Sequence, residues 1–176
     1  MEENGLRPED IEMVRAHPNP IVQFRLWQEN ALRTPEDYCF NARYLIACAA
    51  HRINPARWQD IKVREDQRIR KFMDRVEVNI IVDEKEFILA KLEDSKSYQM
   101  KTEVTAKGKV FRITSSFAKG SGDSLEFRNT DEELIEKFTS NVSRIMTPNK
   151  ANEIAESILE LDRLGDIRKF TETLAY

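Results

Sequence analysis

Three groups of residues in this 176-residue chain have types and spacings that bear on chemistry. The first is a set of carboxylates and a lysine. Asp83, with the later Asp94-x-Lys96, follows the D…(D/E)-x-K pattern of metal-dependent nucleases. There two carboxylates hold Mg²⁺ and a lysine orients the attacking water. The pattern is short, and charged residues are common in turns and at strand ends, so it makes a Mg²⁺-dependent nuclease one alternative reading.

The second is a run of cations. Between Lys96 and Lys119 stand five Lys and one Arg against the single acid Glu103, inside a chain whose net charge is −3. Strand alternation puts Tyr98, Met100 and Val104 on one face and Gln99, Lys101, Glu103 and Thr105 on the other. Across the Lys107-Gly108 turn, Phe111, Ile113 and Phe117 go with the core, and Arg112, Thr114 and Ser116 face out. The aromatic rings share the buried face, so base stacking is not supported. What Lys101, Lys107, Lys109 and Arg112 offer is contact with a phosphate backbone, a second alternative. The plainer reading is a solvated face whose lysines protect sheet edges.

The third is Cys48 with His51, three apart on one helical face. The pair could share a metal, with Cys39 two turns away, but a zinc site needs three or four ligands and the other histidine, His17, has no sequence reason to be nearby. No metal and no cofactor is expected. Five glycines, none spaced as a dinucleotide or P-loop cradle, exclude those nucleotide folds, and no G-x-S-x-G elbow or H-E-x-x-H helix occurs.

The elements that must position these groups are read from period and capping. Asn19-Pro20, Thr34-Pro35, Asn54-Pro55 and Thr147-Pro148 each join a capping side chain to a residue that needs no amide donor. Helices are expected over about Glu9–Ala16, Pro20–Arg33, Pro35–Ile53 and Pro55–Arg75. The third carries the apolar run Tyr44 to Ala50. From Val76 the period changes to two. Val76–Val82 reads as a central strand, residues 84–93 fit helix or strand equally, and strands follow over about Ser97–Ala106, Lys109–Phe117 and Ser124–Arg128. The capping box Thr130-x-x-Glu133 opens a helical tail.

The expected fold is therefore α+β: an N-terminal helical segment of about four helices, an antiparallel sheet of four to five strands, and two to three C-terminal helices packing on the sheet. Residues 1–75 hold eleven Arg and two Lys, and residues 76–176 hold five Arg and ten Lys. That shift suggests a helical segment 1–75 and a sheet-plus-helix segment 76–176, unless the two form one continuous domain.

No apolar run approaches the roughly 20 residues of a membrane span. Cys39 and Cys48 sit about 13 Å apart along one expected helix, too far for a disulfide, which fits reduced thiols in the cytoplasm. Without a catalytic constellation, and with basic and acidic segments segregated, the expected function is a non-enzymatic binding or regulatory protein. Its expected partner is a protein or a second copy of itself, with nucleic acid as the alternative.

Overall fold

A computed structural model of the chain describes residues 1–18, 31–79, 85, 100–115, 118–120 and 125–174. Its contacts divide the chain into two compact units, Met1–Phe127 and Arg128–Tyr176. The fold is α+β, with seven α-helices and a four-stranded mixed sheet among the described residues.

The first unit opens with a strand where a helix was expected. β1, Ile11–His17, is buried at Ile11, Val14 and Ala16 and exposed at Glu12 and Arg15. Glu, Met, Arg and Ala favour helix locally, but pairing on both sides overrides that preference. β1 runs parallel to β2, Val76–Val78, with Val14 opposite Val76 and Ala16 opposite Val78. It runs antiparallel to β3, Met100–Ala106. β4, Lys109–Ser115, completes the order β2-β1-β3-β4. The sheet is thus mixed rather than antiparallel, and the expected central strand β2 stands at one end of this order. Its apolar character has another cause: Val76 and Val78 face the core, while Glu77 points outward.

Between β1 and β2 the chain makes the long crossover that parallel strands require. The expected third helix is two: α1, Pro35–Cys39, and α2, Ala42–Ala50. Thr34 and Asp37 form a capping box for α1, in which the Thr34 and Arg33 amides both donate to Asp37 Oδ2 at 2.8 Å. These two backbone bonds hold the Asp37 carboxyl below its usual range. A second cap, the fully buried Asn41, accepts from the Tyr44 amide at 2.9 Å and starts α2.

The expected fourth helix is likewise broken, into a 3-10 turn Pro55–Arg57 capped by Asn54, then α3, Ile61–Arg64, and α4, Gln67–Met73. Asp60 and Asp66 stand at the breaks as N-caps and supply the punctuation. The expected helix Pro20–Arg33 lies almost wholly outside the described residues, as do residues 84–93 apart from Lys85.

One face of the sheet and these helices share a core. Val14, Val76, Val78 and Ala106 meet Tyr44, Ala47 and Cys48 of α2 and Ile69, Phe72 and Met73 of α4. Of the small residues of α2, Ala47 and Ala50 are buried in this core and Ala49 is exposed. The front helices therefore cover the core face of the sheet. Arg75 ties the crossover to β1, donating to the Ile11 carbonyl at 2.9 Å. Beyond β4, the expected strand Ser124–Arg128 is instead a 3-10 turn, Leu125–Phe127.

The second unit contains α5, Asp131–Val142, α6, Pro148–Leu159, and α7, Ile167–Leu174. Thr130 and Glu133 close the capping box that the sequence announces, and Thr147 caps α6. Ala151, Ile154 and Ala155 are its buried residues.

Candidate functional site

The outer face of the sheet carries two rows of polar side chains that cross all four strands. In the first row Glu77, Arg15, Glu103 and Arg112 stand side by side, one per strand. Arg15 Nε lies 2.8 Å from Glu77 Oε2, and Arg112 Nε lies 2.6 Å from Glu103 Oε1. The Arg112 guanidinium holds the Glu103 carboxyl below its usual range, with Arg15 and His17 adding to the effect. This row is an alternating ladder that neutralises itself and fixes the register of the four strands.

The second row lies one step nearer the end of the sheet and is built differently. His17 pairs with Lys101, and Lys101 with Thr114. Asn79, the residue after β2, donates its amide to the Ala16 carbonyl at 2.8 Å, and its side-chain nitrogen stands 3.5 Å from His17 Nδ1. The row thus reads Asn79, His17, Lys101, Thr114: an amide, an imidazole, an ammonium and a hydroxyl. All four line one open groove of about 470 Å³, with Glu103 and Arg112 beside them. Lys101 is exposed and has no ion-pair partner among the described residues.

The basic residues picked out in the sequence do not form one surface. Lys101 and Arg112 share this groove, but Lys107 and Lys109 lie at the other end of the hairpin, about 20 Å along the strand. Lys107 has a structural task. Lys107 and Gly108 both take positive φ, 51° and 69°, as a two-residue I′ hairpin turn requires. The turn is pinned to the front of the chain. Lys107 Nζ lies 3.2 Å from Asp10 Oδ2, and the Gly108 amide donates to Glu12 Oε1 at 2.9 Å. Alternation also overstated burial at this end of the hairpin, because Met100 is 38% and Ile113 68% exposed. Asp83, Asp94 and Lys96 lie outside the described residues.

Sequence reasoning missed His17 and Asn79. His17 was absorbed into the His17-Pro18-Asn19-Pro20 stop signal, and Asn79 into an apolar strand. The signal that marks His17 is its two-residue spacing from Arg15.

The cysteine and histidine of α2 do no such work. Cys48 is fully buried, and burial pushes its thiol up to about 11. A thiol held protonated is a poor nucleophile. His51 caps the end of α2 with its ring edge against Phe72, and burial lowers its pKa. Among the described residues no three His, Cys, Asp or Glu side chains gather as metal ligands do.

A second polar cleft, of about 690 Å³, lies on the helical side, where Arg43, Arg70, Lys71 and Asp74 come together. Two of its cations are already engaged. Arg43 donates twice to the Met73 carbonyl, and Arg70 donates to the Tyr38 hydroxyl at 3.1 Å.

The description MmgE/PrpD C-terminal domain matches residues 1–163 of the chain. No curated protein matches the chain significantly. The matched family is one of enzymes, which overturns the expectation of a non-enzymatic binding or regulatory protein. The match gives no support to the readings as a phosphate-backbone binder or as a Mg²⁺ nuclease. Segregated charge had been taken for a partner surface, yet two of the cations behind that inference, Lys107 and Arg112, serve the sheet's own architecture. By this match over most of its length, the chain belongs to the MmgE/PrpD family, in its C-terminal domain.

Proposed function

We propose that the chain is a working part of an enzyme that adds or removes water, or shifts a double bond, in a small carboxylic acid of the 2-methylcitrate kind. The family match over residues 1–163 carries this reading, since the family includes dehydratases and isomerases of the 2-methylcitrate pathway. Such reactions move a proton at a carbon beside a carboxylate. They need a cation to hold the acid and a side chain that can serve as general acid or base beside it. The end row of the sheet offers one of each, in Lys101 and His17.

Proteins of this family are often oligomeric, and self-association belongs to the same reading. So does a cytoplasmic setting, which suits free Cys39 and Cys48. Among the described residues no helix is long and apolar enough to cross a membrane.

The test is turnover. Because the matched domain is named as C-terminal, the chain is assayed alone and mixed with the remainder of an MmgE/PrpD enzyme lacking this domain. Citrate or 2-methylcitrate is the substrate, and the ultraviolet absorbance of the conjugated double bond is followed. A saturable, chain-dependent rise is expected. Absence of any chain-dependent rise in both arms contradicts the proposal.

A further inference from the structure

We infer that the groove at the end of the sheet is a carboxylate-binding subsite, in which Lys101 holds a carboxylate of a di- or tricarboxylic acid between His17 and Thr114. This rests on the reading of the chain as part of an enzyme acting on such acids, and it names the residues that take the substrate.

Charge compensation singles out the groove. On this face Arg15 and Arg112 are each paired with a carboxylate, and at the far turn Lys107 is paired with Asp10. Lys101 lies between strands whose neighbouring positions carry no acid: His17 on one side and Thr114 on the other. Its ammonium is thus the positive charge that the ladder leaves over. An anion placed there gains a cation that no described carboxylate shares, with the His17 ring on one flank and the Thr114 hydroxyl on the other.

The spacing suits a small acid with several carboxylates. Neighbouring strands lie about 4.8 Å apart, so a ligand bridging two or three strands reaches from Lys101 to His17 or Thr114. Directly paired side chains start about 5 Å apart and converge easily on one molecule. Asn79 beside His17 adds a group that can accept or donate at the end of the row. The ladder underneath holds Glu103 on Arg112 and keeps that carboxylate from claiming Lys101.

The test is citrate binding to the full chain, followed by the NMR signals of the His17 ring, with inorganic phosphate at matched ionic strength as the comparison anion. Citrate should shift the His17 signals saturably and phosphate should not. Lys101→Gln should weaken citrate about threefold or more, the scale of an ion pair in an open groove. Lys101 is exposed, so the variant should fold, and unchanged signals from the Tyr44 and Phe72 rings confirm this. The inference is overturned if His17 does not respond, if phosphate acts as strongly as citrate, or if Lys101→Gln binds as the parent does. The two proposals fail separately. Turnover without a His17 response removes the subsite and leaves the enzyme. A Lys101-dependent His17 response without turnover does the reverse.

Discussion

His17 and His51 show how position decides what one residue type can do. His17 ends a strand at the edge of a groove, half-exposed beside Asn79 and Lys101. His51 is held against Phe72 at the end of a core helix, and burial lowers its pKa below the ordinary 6.5. The folded state resists protonating His51, whereas the unfolded chain takes up that proton freely. Its contribution to stability is therefore full above about 6.5 and is lost as the pH falls through that value and on through the lower folded pKa. His51→Gln should flatten this part of the acid limb. Denaturation midpoints of the parent and the variant, measured from neutral pH downward, check it. If the two curves stay parallel, His51 is not the source.

At the scale of elements, what was legible in the sequence was local. Thr34, Asn54, Thr130 and Thr147 each cap a turn or helix through contacts two or three residues away. A capping pair can be seen without knowing the fold. Thr130→Ala removes the acceptor for the Glu133 amide and should cost the second unit about 1 kcal/mol. Chemical denaturation followed by far-ultraviolet circular dichroism measures that loss, and Thr130→Ser should largely restore it. β1 was not legible, because its partners Val76–Val78 and Lys101–Ala106 lie far along the chain and its own composition suits a helix. The same non-local pairing builds the groove. Lys101 and Arg112 stood out as charges, but only the register brings His17 and Asn79 to their side.

At the scale of the whole molecule, composition misled where pairing informed. The shift from Arg to Lys at residue 75 suggested a boundary, yet β1 and β2, on either side of it, are neighbours in one sheet. The absence of familiar catalytic motifs suggested a binding protein. The family match points instead to a family of enzymes.

Proton transfer at carbon is common to both dehydratase and isomerase chemistry, which makes it the most direct measure of the central claim. The chain, with the remainder of an MmgE/PrpD enzyme, is incubated with an unsaturated tricarboxylic acid in D2O, and the product is analysed by mass spectrometry and NMR. The account predicts one deuteron delivered to a carbon beside a carboxylate, at a rate that depends on the chain. Incorporation no faster than in the same mixture without the chain would contradict it.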